Sequence, residues 1–229
     1  MKKFLTKLKE FKKESNEIIE EEKFNESIIK RAIDKNKVKI NIHNIRDYSK
    51  DLHKKVDDYS FGGGRGMVLM PEPIFDGVDA LRTKDSKVIL MTPQGIKYNQ
   101  DKAYELSHEK HLIIICGHYE GFDERIRSIV DIEISIGDFI LTGGEIPAMA
   151  LVDSITRLID GVIVKDSHIN DSFNGNLLDY PVYTQPASFR GMDVPEVLLS
   201  GHHANIEKWR YEEQIKRTKE RRPDILEKR

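Results

Sequence analysis

Three short apolar runs in the middle of the chain, 88–91, 112–116 and 132–136, each give way to a glycine-bearing turn. Runs of this length bounded by turn residues read as buried strands, and the stretches beside them, 99–109 and 122–129, read as helices. Strands alternating with helices build a mainly parallel α/β sheet. The first run leads into Thr92-Pro93-Gln94-Gly95 and the second into Gly117-His118-Tyr119-Glu120-Gly121. The third leads into Gly137 and then a loop that ends in Gly143-Gly144. Ligands of open α/β sheets bind beyond the carboxyl ends of the strands, where glycine lets backbone approach closely. Three such turns side by side predict one crevice lined with backbone N–H and C=O.

The flanking segments complete the layout. Residues 25–37 predict a helix with Ile28, Ile29, Ala32 and Ile33 on one face, and 38–45 alternate with strand period. Residues 71–81 predict a short helix with proline near its start. The clearest helix is 145–160, whose apolar stripe comprises Ala148, Leu151, Val152, Ile155, Leu158 and Ile159, with Gly161 as its C-cap. Residues 165–175 are polar and read as a linker. Turn chemistry around Pro181, Pro186 and Pro195, then a helix over 204–220, predicts a small second domain. Residues 1–23 carry seven lysines and six glutamates, with Phe4, Leu8, Phe11, Ile18 and Ile19 near helical spacing. They predict an amphipathic or loosely attached helix.

Composition and missing motifs exclude several classes. The 229 residues fit one large domain, or one domain with a small appendage. No apolar run reaches the roughly 18 residues of a membrane span, and the Lys/Glu-rich start lacks the apolar stretch of a secretory signal. The expected location is therefore cytoplasmic. The single cysteine, Cys116, excludes an internal disulfide framework and a multi-cysteine zinc site, and reads as a buried strand-end residue. There is no P-loop and no nucleophile elbow. The run Gly62-Gly63-Gly64-Arg65-Gly66 follows no strand of a βαβ unit, so it is not a dinucleotide fingerprint. His108-Glu109-Lys110-His111 and His202-His203 lack metalloprotease spacing. The net charge of −2 gives no global basic field, but residues 208–222 hold seven basic residues against three acidic ones. Such a stripe suits a phosphate backbone; it also suits a solvated helix face.

The residues now carry a resemblance. Thr92-Pro93-Gln94-Gly95, the segment from Cys116 to Gly121, Ser135-Ile136-Gly137-Asp138-Phe139 through Gly143-Gly144-Glu145, and the stretch from Leu177 to Arg210 resemble the bacterial tRNA (guanine-N(1)-)-methyltransferases, the TrmD family. The likeness runs from about Phe24 to the C-terminus. It implies a SPOUT-type fold: an α/β, mostly parallel sheet tied in a trefoil knot, with a small helical C-terminal domain. It also implies a homodimer with each active site at the subunit interface. The implied reaction moves a methyl group from S-adenosylmethionine (SAM) to N(1) of guanosine at tRNA position 37. Magnesium is a further family expectation, with Glu120 or Asp171 nearby, although no ligand cluster in the sequence marks a metal site. The implied division is an atypical N-terminal segment (1–23), a SAM-binding knotted domain (24–162), a linker carrying the base (163–175) and a tRNA-binding domain (176–229).

The resemblance assigns residues as well. The cofactor cradle is implied at Thr92, Pro93, Gln94, Gly117, Tyr119, Glu120, Ser135, Ile136, Gly137, Phe139, Leu141, Gly143 and Gly144. Asp171 matches the general base, and Arg157 matches the arginine at the guanine O6, reaching across the dimer interface. On residue chemistry alone Asp171 would be a linker turn residue, Asp166 would serve as well, and Arg157 would face solvent. Removing the N(1) proton leaves charge delocalised toward O6, so a carboxylate and a cation are the groups the chemistry needs. The chain departs from the family at its lysine-filled opening, where an apolar first strand is usual, which predicts a missing or poor strand and an open sheet edge. It departs again at Ser60, Phe61, Arg65, Phe139, Val182 and Gln185. Two readings follow: an active SAM-dependent tRNA methyltransferase, or a catalytically impaired tRNA- or SAM-binding protein on the same fold.

Overall fold

A computed structural model describes residues 2–6, 27–118, 120–163, 171–173 and 176–226. The chain divides into two compact units, Met1–Ile163 and Val164–Arg229. In the first unit the strands are β1 (Lys2–Thr6), β2 (Val38–Ile42), β3 (Asp57–Tyr59), β4 (Met67–Leu69), β5 (Ser86–Lys97), β6 (His111–Ile115) and β7 (Ile132–Ser135). Its helices are α1 (Ser27–Asp34), α2 (Pro71–Leu81), α3 (Gln100–Ser107) and α4 (Glu145–Thr156). Five strands form one sheet in the order β2-β1-β6-β5-β7, and every neighbouring pair in it is parallel. β3 and β4 form a separate antiparallel pair.

The apolar runs are continuous because both faces of the sheet are covered, which is how parallel strands are buried. Successive side chains then divide between two cores. Ile89, Met91, Leu112 and Ile114 pack with Ile29 and Ala32 of α1, Leu106 of α3 and Leu151, Val152 and Ile155 of α4. Val88, Leu90, Ile113 and Ile115 point the other way, onto Ile74 and Val78 of α2 and onto Ile45 and Ile126. Each such fully buried side chain contributes about 1.5–3 kcal/mol.

Several expectations change. The opening residues do form a strand, and β1 lies inside the sheet, paired with β2 on one side and β6 on the other. The predicted open edge is therefore absent there: backbone pairing carries the strand in spite of its lysines. Leu8, Phe11, Ile18 and Ile19 lie outside the described residues. The stretch read as a helix over 122–129 is a 3-10 turn, Glu124–Ile129, started by the Asp123 carboxylate accepting from the Arg125 N–H. The strand predicted over 38–45 stops at Ile42, and Asn44 caps a second 3-10 turn, Ile45–Tyr48. α4 ends at Thr156 rather than 160, so Gly161, at φ +80°, closes the turn beyond the helix instead of capping it.

The second unit has a hairpin, β8 (Ser188–Phe189) with β9 (Met192–Asp193), and helices α5 (Glu196–Leu199), α6 (His203–Arg221) and α7 (Pro223–Leu226). The hairpin falls where only turns were expected, while α6 occupies the stretch expected to be helical. Thr218 of α6 is fully buried; its hydroxyl donates to the Gln214 carbonyl at 2.7 Å and accepts from the Leu178 N–H at 2.9 Å.

Candidate active site

β5 occupies the position that makes a crevice. From it the chain goes to β6 on one side and later to β7 on the other. The connections thus part at the carboxyl end of β5, the kind of point where open α/β sheets bind ligands. The strand does not simply end there. Met91 and Ile96 both align with Ile134 of β7, so Thr92-Pro93-Gln94-Gly95 is pushed out as a bulge and the strand then resumes. Gly95 permits this: a Cβ on it would strike the backbone of Ile134 and Glu133. Beyond the bulge, Tyr98 donates its N–H to the Ser135 carbonyl at 2.8 Å, and its hydroxyl pairs with Ser154 Oγ of α4 at 2.7 Å.

The second and third turns are joined by backbone. The Gly144 N–H donates to the Gly117 carbonyl at 2.8 Å, and His118 bridges antiparallel to Gly143. A Cβ on Gly144 would lie 2.8 Å from both Cys116 Cα and Gly117 N, so only glycine fits. Glu120 is fixed at the mouth by its N–H, which donates to the Met67 carbonyl at 3.1 Å. Its side chain lies directly over Gly66.

Together these turns enclose a cavity of about 530 Å³, within the usual range for a small-molecule site. Thr92, Pro93 and Gln94 line it from the bulge, and Gly117 and Glu120 from the second turn. Ser135, Ile136 and Gly137 line it at the end of β7, and Phe139, Leu141, Gly143 and Gly144 line it from the loop before α4. Tyr119 lies outside the described residues.

Sequence reasoning missed Arg127 and Glu124 in the lining. Arg127 donates from Nη2 to Gln94 Oε1 at 2.6 Å, pairs with Glu133, and donates from Nε to Glu124 at 3.0 Å. Glu133, then Glu124, hold its guanidinium firmly cationic. The only hint in the sequence was a basic residue three positions after Glu124, in a segment read as a plain helix.

The lining chemistry selects among ligands. Ile134, Ile136, Leu141 and Pro147 supply apolar surface, the turns supply backbone polar groups, and Glu120 and Glu124 supply negative charge. The one described cation in the lining, Arg127, is already engaged by two carboxylates. A flat heteroaromatic ring joined to a positively charged group fits this set, whereas a pyrophosphate would meet carboxylates. Among the described residues no group of three or more His, Cys, Asp or Glu could hold a metal ion. No helix of the described residues is long and apolar enough to cross a membrane.

Arg157 does not line this cavity. Arg157 is the C-cap of α4, its N–H donating to the Asp153 carbonyl at 3.2 Å. Gly144 and Pro147, at the opposite end of that 12-residue helix, face the cavity. At 1.5 Å per residue the two ends are separated by roughly 18 Å. Asp171 belongs to the Val164–Arg229 unit, where it heads a short turn.

Comparison with known proteins agrees with this chemistry. The family profile described as tRNA (Guanine-1)-methyltransferase TrmD matches residues 16–228. A tRNA (guanine-N(1)-)-methyltransferase of Shouchella clausii is 55% identical over 208 residues, covering 89% of this chain and 85% of the relative. The enzyme of the same name from Dehalococcoides mccartyi is 56% identical over 210 residues, covering 90% and 85%. That from Staphylococcus aureus is 54% identical over 207 residues, covering 89% and 84%.

Proposed function

The chain belongs to the tRNA (guanine-1)-methyltransferase family, and from that premise we propose that it transfers a methyl group from SAM to N(1) of guanosine 37 in tRNA. The observation that carries this reading is the cavity at the carboxyl ends of β5, β6 and β7, whose apolar, backbone-rich and acidic lining suits SAM. When bound, SAM supplies an electrophilic methyl carbon on a positively charged sulfur. Ile136 and Leu141 would hold the adenine, the turn backbones would take its polar edge, and Glu120 and Glu124 would supply negative charge for the cationic end. The bulge of Thr92, Pro93 and Gln94 would help to hold SAM from one side. Positioning of donor and acceptor then provides much of the rate, because direct displacement needs no covalent enzyme intermediate.

Asp171 accepts the N(1) proton, and the freed nitrogen lone pair forms the bond to the methyl carbon while the C–S bond pair stays on sulfur. Arg157 faces O6, where the negative charge collects, and stabilises it electrostatically. A base of this kind contributes about 10²–10⁴-fold.

The same reading includes a knotted SPOUT fold and a homodimer. The stretch of α4 from Pro147 at the cavity to Arg157, roughly 15 Å, supports the dimer, since Arg157 then serves the partner's cavity. Residues 24–162 bind SAM, 163–175 carry the base, and 176–229 hold tRNA through the basic residues of α6. The chain works in the cytoplasm, where tRNA is modified. The described residues do not assemble a magnesium site by themselves. The reading of an impaired binder loses its main support, because β1 is present and paired. Isothermal titration tests the ligand: SAM should bind with one site per chain, whereas an absence of heat with folded protein would contradict the assignment.

A further inference from the structure

The second unit carries its positive charge unevenly. Of the seven basic residues in 208–222, five are already engaged. Glu207 holds Arg210 at 2.6 Å and Asp224 holds Arg222 at 2.8 Å, while Glu212 and Glu213 pair with Lys208 and Lys216. Arg217 donates to the Asp179 carbonyl at 3.4 Å. The stripe therefore offers fewer free cations than its composition suggests, and an RNA backbone gripped by this unit calls for positive charge elsewhere.

The β8–β9 hairpin supplies it. Between 182 and 192 the only charged residue is Arg190. Neither the next charge, Asp193, nor any other described carboxylate pairs with it. Its guanidinium lies over the Phe189 ring instead, 5.2 Å from the centroid. That ring is 54% exposed, and Met192, its partner across the hairpin, is 65% exposed. Both turn residues have positive φ, +53° at Arg190 and +76° at Gly191. Turns of that shape favour asparagine, aspartate or glycine, and a longer side chain is disfavoured there. Backbone conformation therefore does not explain an arginine at the tip.

We propose that the hairpin tip is an RNA contact, Arg190 binding a phosphate while Phe189 and Met192 receive an unpaired base of the tRNA. An exposed ring beside an uncompensated cation matches a flat base joined to an anion, and unpaired nucleotides are held by such stacking and charge together. A duplex offers the phosphates but no open base face. A second copy of the chain suits the tip less well, because in a two-fold contact of this face with itself Arg190 would meet Arg190. This inference rests on tRNA being the substrate, and it adds a grip outside α6.

Equilibrium binding of an unmodified tRNA transcript across salt concentrations tests it in Arg190→Asn and Phe189→Ala, with SAM affinity, thermal midpoint and sedimentation followed alongside. Arg190→Asn should weaken tRNA binding by about tenfold at low salt and make the slope of log K against log salt shallower by about 1. Its midpoint should not fall, because asparagine suits the turn. Phe189→Ala should weaken binding by about tenfold with the slope unchanged, and should bind an RNA duplex as the parent does. SAM affinity should stay within a few-fold of the parent in both. Parental tRNA affinity in either variant, an unmoved slope in Arg190→Asn, or an equal loss on the duplex in Phe189→Ala would overturn the proposal. So would a lowered midpoint in Arg190→Asn or a changed oligomeric state in either, since the hairpin would then serve the fold or an interface between copies. If the parent itself binds no tRNA, the substrate reading fails and takes the proposal with it; if the parent binds and both variants match it, only the hairpin's role fails.

Discussion

The Gly144 N–H reaches the Gly117 carbonyl at 2.8 Å, and through this bond the turn after β6 and the start of α4 share one wall of the cavity. The contact is backbone on backbone, so neither side can yield by rotating a side chain. Gly144→Ala places a methyl 2.8 Å from Cys116 Cα. Overpacking of this kind costs about 1–3 kcal/mol. Differential scanning calorimetry should record a lowered melting temperature, and SAM titration a loss of binding. Parental affinity in this variant would mean that the two turns do not form the ligand wall.

Arg127 lines the same cavity beside the bulge. Its guanidinium holds Gln94 Oε1 at 2.6 Å and is itself held by Glu133 and Glu124. Arg127→Leu should free Gln94 and leave two carboxylates without their partner. We expect the KM for SAM to rise by about tenfold, a change of about 1.4 kcal/mol, with kcat within a few-fold of the parent. A lowered kcat at unchanged KM would instead place Arg127 in the chemical step.

Tyr98 gives a pH signature of the fold. Burial pushes its hydroxyl up to about 12, while the hydrogen bond to Ser154 works the other way. The unfolded chain loses this proton near the ordinary value of about 10. Stability is therefore whole below about pH 10 and declines as pH rises toward about 12, by an amount on the order of 2–3 kcal/mol. Denaturant unfolding at pH 9 and pH 11.5 should show a smaller difference for Tyr98→Phe than for the parent. Equal differences would mean that Tyr98 is not buried in solution.

The cradle was legible in the sequence because its signal is local. Apolar runs at 88–91, 112–116 and 132–136 have to be strands, and glycines that follow strands mark turns that something approaches closely. The opening strand was hidden for the opposite reason. Lysines at Lys2 and Lys3 contradict a buried-strand pattern, and only pairing with β2 and β6, both distant in sequence, reveals β1. Arg127 was hidden because its importance lies in Gln94, 33 positions away. The roles of Arg157 and Asp171 came from family likeness alone.

Arg157 tests the dimer. Arg157→Ala should lower kcat/KM by at least about 10²-fold, the scale of one lost transition-state partner, while SAM binding is retained. Mixing Arg157→Ala chains with Gly144→Ala chains then distinguishes the two arrangements. In a symmetric dimer with Arg157 serving the partner's cavity, the mixed dimer contains one intact site and activity returns. An inactive mixture under exchange conditions would place Arg157 and the cavity it serves in the same chain. Activity of Arg157→Ala within a few-fold of the parent would remove Arg157 from the reaction.

The most direct test of the whole account is methyl transfer from labelled SAM to an unmodified tRNA transcript carrying guanosine at position 37, followed by nucleoside analysis. The account predicts label in 1-methylguanosine, absent from a transcript with another base at that position. SAM binding without incorporation, or label at a different atom or nucleoside, would contradict it.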